Sequence, residues 1–435
     1  MVDVDDVVNM VMESELSFPG SKGEAFQQVV AGWASAVVAS DDVLDSMVSP
    51  PPIGNHCGAC EYRINTDNHE QSGFEACWVE ASGLTAEELA RGKPVVDIWY
   101  GGSLINKLIS AQKFVMNDLV PEDLGLSPDG NDMKPKKKGD ARGMSRTVKQ
   151  WYQANGVPSW SKNSAIVLDK TYLDEEMDSW SFPMHFIDFE TVAPALPFSV
   201  GRSPYDYVAF QFSHHVLYRD GNVEHASEFL SAIPGECPNV AFLDALAACM
   251  DGCNGTVFRW GAHENTILSA LLQQENLCSK TAILEPLLTG GSHAMIDLMQ
   301  VATKGYYVAG SNSSSSLKKL LLPTMRASKR LEYIYGQPTY SSSNFTDMQW
   351  WQKDNDGEQV RDPYSLLGSL KVEDPGAAVA QGGDAMMAYS TLQQSDLDPT
   401  VRAGIEASLL RYCELDTLAM VMIVQALQSF LQDES

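Results

Sequence analysis

The segment His185–Ala193, reading HFIDFETVA, constrains the fold more than any other stretch of the chain. A short apolar run carrying two acids one residue apart is a strand with both carboxylates on one face, because strand side chains repeat every second residue. Fixed there, Asp188 and Glu190 repel each other, and a divalent cation relieves that repulsion most directly. Oxygen donors of this kind suit Mg²⁺ or Mn²⁺. The chemistry of the chain is expected at this pair.

At 435 residues the chain is long enough for two or three domains with a well-buried core. Its 44% apolar and 20% charged residues are those of a soluble globular protein. No apolar run reaches the length of a membrane span, and the start MVDVDDVVNMVMESE lacks the basic opening of a secretory signal. Eight cysteines, of which only Cys57, Cys60 and Cys77 cluster, favour a reducing, cytoplasmic setting over a disulfide framework. The formal charge of −27 argues against broad nonspecific adhesion to nucleic acid. It is compatible with a nuclease, whose metals neutralise carboxylates locally. The basic run Lys134–Lys138, continuing through Arg142, Arg146 and Lys149, reads either as a solvated linker or as a strip contacting phosphates.

Along the chain, an apolar helical stretch over Phe26–Ser40 is closed by Pro50–Pro52. From about Ala86 to Trp180 helices alternate with polar connections, Asp123–Arg142 being the expected linker. Then the pattern changes. Met184–Phe189 is a strand; Tyr207–Tyr218 and Asn222–Leu230 flank Asp220-Gly221 as a hairpin. A helix over Val240–Met250, a strand over Thr256–Trp260 and a helix from Glu264 to Gln274 follow. Further helices are expected near Ser315–Leu322, Ala377–Gln393 and Pro399–Leu431, with Asn344–Gly376 as a polar surface insertion. The expected class is α/β: a mixed sheet flanked by helices, with a mostly helical N-terminal region.

Two more acids stand at informative places. Glu264 opens a helix directly after a strand, and Asp416 follows Tyr412 by four residues, so phenol and carboxylate share a helix face. Four carboxylates and a phenol are what phosphodiester cleavage with two cations needs: hard ligands for both ions and a group to orient the water or assist in its deprotonation. Taken singly, each has a plainer reading. Glu264 would complement the helix dipole, and Tyr412 and Asp416 would be a packed ring beside a surface acid.

The motifs HFIDFET, the later glutamate and Tyr-x-x-x-Asp together resemble the DnaQ-like (DEDDy, RNase H-like) 3′–5′ exonuclease superfamily. More narrowly, FIDFETVAPALPF, YDYVAFQFSHHVL, GSNSSSSLKKLLLP and YCELDTLAMV resemble a bacterial and archaeal branch of it. In that branch such a domain follows a RecB-like, PD-(D/E)XK-type nuclease region carrying a cysteine cluster. The resemblance implies an RNase H-like exonuclease domain over 181–435, preceded by a helical connector with a basic linker over 86–180 and a helical remnant of the RecB-like region over 1–85. It implies Asp188, Glu190, Glu264 and Asp416 as ligands of two Mg²⁺ or Mn²⁺ ions and Tyr412 as the residue that orients water. Asp297 sits where the family often has an acid. Ser316, Lys318 and Lys319, within GSNSSSSLKK, are candidate contacts to a phosphate backbone, or the serines simply cap a helix. His263 is expected to hydrogen-bond beside the site; His214 and His215 are expected to be structural.

Cys57-x-x-Cys60 with Cys77 has the spacing of a metal knuckle, completed by His56 or His69 for zinc. The RecB-like relatives hold a [4Fe–4S] cluster with one cysteine far upstream, which has no counterpart here. Zn²⁺, [4Fe–4S] and no metal all stay open. The expected activity is metal-dependent 3′–5′ hydrolysis of DNA, or of RNA, with DNA repair or defence suggested by the RecB-like association. The alternatives are a non-catalytic nucleic-acid-binding or assembly module and a phosphodiesterase for small nucleotides.

Overall fold

The computed structural model describes residues 5–12, 15–18, 21–28, 30–31, 52–64, 72–133, 143–275, 278–354, 356–357, 359–367 and 382–433. The basic run 134–138, Arg142, His69 and most of the expected helix at 26–40 lie outside them. The chain forms two compact units: Met1–Asp132 with Arg146–Gly156, and Met133–Ser145 with Val157–Ser435. The region 86–180 is therefore divided between them. No helix among the described residues is long and apolar enough to cross a membrane.

The first unit is built mainly from short helices, Gly73–Ser82, Ala86–Gly92, Ser103–Ser110 and Arg146–Asn155, beside an antiparallel pair Glu15–Phe18/Ser21–Ala25. Its helix starts follow the sequence. Thr85 and Glu88 form a reciprocal capping box, and Ser72 accepts from Glu75 N. Lys149 is not part of a phosphate-contacting strip: it is buried, with its ammonium 5.0 Å from the centre of the Trp99 ring. Burial there pushes its pKa down to about 8.

In the second unit five strands form one mixed sheet: β1 (Met184–Val192), β2 (Val208–Leu217), β3 (Val223–Leu230), β4 (Thr256–Arg259) and β5 (Ile296–Asp297). Their order is β3-β2-β1-β4-β5, with the first three mutually antiparallel and β4 and β5 running parallel to β1. This is the mixed sheet flanked by helices that the strand and helix pattern predicts. A separate ladder pairs Ile166–Leu168 with Tyr306–Val308. Gly255 makes the β1–β4 pairing possible: its φ is +96°, and a Cβ there would lie 1.9 Å from the Pro183 carbonyl oxygen.

Helices cover both faces. On one, α1 (Asn239–Met250) and α2 (His263–Glu275) bury Phe242, Leu243, Leu246, Ile267 and Leu271 against Ile187, Phe189 and Phe212. β5 runs directly into α3 (Leu298–Gly305), with Asp297 as the N-cap. The other face meets α4 (Leu317–Ala327), α5 (Gly382–Leu392) and the long α6 (Pro399–Asp433). Asp398 accepts from the backbone N–H groups of Thr400 and Val401, and Pro399 supplies a ready-made first turn. From Tyr412 to Leu427 every residue of α6 is buried, as expected of a helix lying between a sheet and other helices.

All ten residues of β2 are buried, polar ones included, because helices cover both faces. Most of its polar side chains are tied in: Gln211 Nε2 donates to Leu409 O at 2.7 Å, and Ser213 Oγ and His215 Nδ1 meet Thr417 Oγ1 at 2.8 and 2.7 Å, while Gln211 Oε1 is left without a partner among the described residues. These bonds fix α6 across the sheet.

Candidate metal centre

Register places Asp188 opposite Ser213 and Glu190 opposite Gln211, so both acids of β1 lie on the face crossed by α6. Ser213 is held by Thr417, one turn beyond Cys413, whose Sγ is 3.8 Å from Asp188 Oδ2. Tyr412 and Asp416 flank that Cys413/Thr417 stripe one residue to its side. Sheet and helix thus bring together residues more than 220 positions apart. One oxygen from each of Asp188, Glu190 and Asp416 lies within 4.8 Å of the other two.

Glu264 arrives from the first turn of α2, immediately after β4. It stands outside that group of three yet interacts with Asp188. It is buried, and its Oε2 has no hydrogen-bond partner among the described residues. A buried carboxylate with an unpartnered oxygen, close to Asp188 and Glu190, is costly unless a cation is present. The all-carboxylate donor set matches hard divalent ions such as Mg²⁺ and Mn²⁺, so the residues fit such a centre.

Electrostatics record the crowding. Burial, then repulsion from Asp416, Glu264 and Glu190, holds the Asp188 carboxyl well above the usual range. Glu190 is raised in the same way, chiefly by burial and Asp416. Burial pushes Glu264 up to about 8 against the opposing pull of backbone hydrogen bonding and Arg259. Asp416 is also raised by burial, opposed by the Lys318 ammonium and by hydrogen bonds from Tyr364 and Tyr412.

Lys318 comes to this cluster from the start of α4. Its Nζ donates to Tyr412 Oη at 2.5 Å and sits 5.1 Å from the centre of the Tyr364 ring. The neighbouring candidates do not join it. Lys319 and Ser316 are exposed, and Ser316 occupies the N-cap position of α4 without a side-chain capping bond. Ser311, Ser313 and Ser315 are buried, Ser315 Oγ accepting from Thr303.

Asp297 is structural. Its carboxylate takes Arg259 at 3.2 Å and Gly261 N at 3.0 Å, and it caps α3 through Gln300 N. His263 Nε2 lies 3.1 Å from Thr191 Oγ1, next to Glu190, as expected of a neighbour that hydrogen-bonds beside the site. His214 and His215 are buried in networks, His214 between His185 and Ser227 and His215 between Thr417 and Tyr340.

The residue that sequence reasoning misses is Tyr364. The segment 344–376 is expected to be a surface insertion, yet within its described part, alongside exposed residues, Trp350 is fully buried and Tyr364 donates to Asp416 Oδ1. Polar composition hid this. The available signal is the apolar cluster PYSLL at 363–367.

In the first unit, Cys57 lies in the 3₁₀ turn Asn55–Ala59, Cys60 just after it, and Cys77 in Gly73–Ser82. All three thiols are unpaired and partly exposed. Burial, then the proximity of Cys57 and Cys60, pushes the Cys77 thiol up. Among the described residues, no set of three donors within 4.8 Å includes these cysteines or His56.

A family model described as "Domain of unknown function (DUF2779)" matches residues 185–316. That span contains Asp188, Glu190 and Glu264 and ends before Lys318, Tyr412 and Asp416. Comparison with curated proteins finds no match, and comparison with solved structures finds none.

Proposed function

We propose that the chain is a metal-dependent 3′–5′ exonuclease that hydrolyses phosphodiester bonds of DNA, or of RNA, with two Mg²⁺ or Mn²⁺ ions. The supporting observation is the meeting of Asp188, Glu190 and Asp416 within 4.8 Å, with Glu264 on α2 close enough to interact with Asp188 and Glu190. Direction and substrate class rest on the resemblance of the motifs to the DnaQ-like superfamily.

In this reading Asp188, Glu190, Glu264 and Asp416 hold the ions. What bound Mg²⁺ or Mn²⁺ supplies is acidification of the attacking water and stabilisation of charge on the attacking and leaving oxygens. Tyr412 orients that water as a hydrogen-bonding group. It does not serve as the base, because burial and the surrounding carboxylates push its phenol far above neutral pH. Lys318, beside Tyr412, meets a phosphate oxygen. Tyr364 fixes the Asp416 rotamer.

The test is a 3′-labelled single-stranded oligonucleotide incubated with the protein and Mn²⁺. The wild type shortens it from the labelled end, and Asp188→Ala, folded by circular dichroism, does not. Full activity in Asp188→Ala at saturating metal would refute the assignment. Binding without trimming by the wild type would identify a non-catalytic nucleic-acid-binding module instead, and cleavage restricted to dinucleotides a small-nucleotide phosphodiesterase.

A further inference from the structure

A second group of metal donors lies on the other flank of α6. Glu414 projects away from Tyr412 and Asp416 toward β3, where it meets His225 and Glu228. One nitrogen of His225 and one oxygen from each glutamate lie within 4.8 Å of one another. His225 Nδ1 is 3.4 Å from Glu414 Oε2. Donors about 2.1 Å from a tetrahedral ion stand roughly 3.4 Å apart, so the side chains need little movement to close on a cation.

Charge makes the case. The Glu414 side chain is 0% exposed and that of His225 only 3%. Among the described residues no lysine or arginine pairs with Glu228 or Glu414; His225 is their one ion-pair partner. A protonated imidazole would leave one negative charge uncompensated, whereas a divalent ion on a neutral ring balances both carboxylates. A neutral group now fills the gap: Asn344 Nδ2 bridges Glu228 Oε2 and Glu414 Oε2 at 2.7 and 2.8 Å. Turned about its last torsion, the same amide would offer its oxygen as a fourth ligand. Tyr340 Oη donates to Glu414 and orients it, as groups behind a metal ligand do. Glu228 also lines a cleft of about 710 Å³ with Leu230, Arg402, Glu406 and Leu410, so one of the three donors borders open space.

We propose that His225, Glu228 and Glu414 form a second divalent-cation site, of Mn²⁺ or Zn²⁺ type, that pins β3 and the 340–345 segment to α6. The proposal does not rest on the exonuclease reading. Mn²⁺ is the probe, because the thiols of Cys57, Cys60 and Cys77 favour softer ions. The Asp188→Asn/Glu190→Gln chain, with the first centre disabled, is titrated calorimetrically with Mn²⁺. One saturable equivalent and a Mn²⁺-dependent rise in Tm are expected. Adding Glu228→Gln, or separately His225→Asn, should weaken that binding at least tenfold and abolish the rise. Should these chains not fold, Mn²⁺ electron paramagnetic resonance on single Glu228→Gln in the otherwise native chain should show one class of sites lost. Absence of the equivalent, or an equivalent indifferent to both substitutions, overturns the proposal.

Discussion

Tyr364 donates its phenolic hydrogen to Asp416 Oδ1 across 2.5 Å, tying the 3₁₀ turn Pro363–Leu367 to the last carboxylate of the cluster. The phenol is buried, and burial together with Asp416 keeps it protonated far above neutral pH, so it acts as a fixed donor. Its ring lies 6.3 Å from that of Tyr412. Tyr364 therefore fixes the position of Asp416.

Tyr364→Phe removes one hydrogen bond and little volume. Losing a partner of a metal ligand lowers metal affinity about 10- to 100-fold. The expected result is a rise of that order in the Mn²⁺ concentration giving half-maximal activity, with the rate largely restored at saturating Mn²⁺. A purely structural role would lower Tm and leave the metal dependence unchanged. Calorimetric Mn²⁺ titration and initial rates across Mn²⁺ concentrations separate the two.

Glu264 sets a pH dependence with a definite sign. Burial raises its folded pKa from 4.5 to about 8. The native state therefore binds a proton that the unfolded chain has released, and the stability this gives is complete below pH 4.5 and lost as pH rises through about 8. Without metal, Glu264→Gln should gain on the wild type across that window by more than about 1 kcal/mol. Excess Mn²⁺ should reverse the order, since the ion favours the charged carboxylate. Thermal melts of both proteins from pH 4.5 to 8.5, with chelator and with Mn²⁺, measure it.

His214 has the opposite sign. It lies between His185, at 3.0 Å, and Ser227, at 3.1 Å, and burial pushes its pKa from 6.5 down to about 3. A histidine kept neutral in the fold contributes stability above pH 6.5 that is lost as pH falls toward 3. His214→Asn should be less stable than the wild type at pH 7, through lost packing and hydrogen bonds, and the gap should narrow steadily below pH 6.5. Denaturant midpoints at intervals from pH 7 to pH 4 test this.

Much of the second unit was legible because its elements are long and strongly patterned. HFIDFETVA, the hairpin around Asp220-Gly221 and the Asp398-Pro399 start of α6 each carry a local physical signal. Asp188, Glu190, Glu264, Tyr412 and Asp416 were reachable because motif order named them; the sheet register and α6 then bring Asp188, Glu190 and Asp416 to one place, with Glu264 and Tyr412 beside them. The short strands Ile166–Leu168, Ile296–Asp297 and Tyr306–Val308 were not, since two or three residues cannot display a period. Lys319 and Ser316 looked equivalent to Lys318 in GSNSSSSLKK, and only the helix direction of α4 decides which of them faces the acids. Glu414 and Asp416 are two residues apart on one helix, and nothing local says that they serve opposite flanks.

Trp350 decides whether the 344–367 segment belongs to the core or lies on it. Polar composition predicts a surface insertion, in which truncating one side chain changes stability by no more than about 0.5 kcal/mol. Trp350 is instead fully buried, 5.9 Å from the ring of Tyr340 and 4.9 Å from that of Phe345. Emptying so large a buried site typically costs about 3–5 kcal/mol. Trp350→Ala should therefore lower the urea midpoint by that equivalent with little change in m, because the surface exposed on unfolding stays nearly the same. Tyr340 is the packing neighbour that donates to Glu414, so the variant should also bind Mn²⁺ more weakly at the His225 site than at Asp188. A near-neutral Trp350→Ala would return the segment to the surface and detach it from both groups of acids.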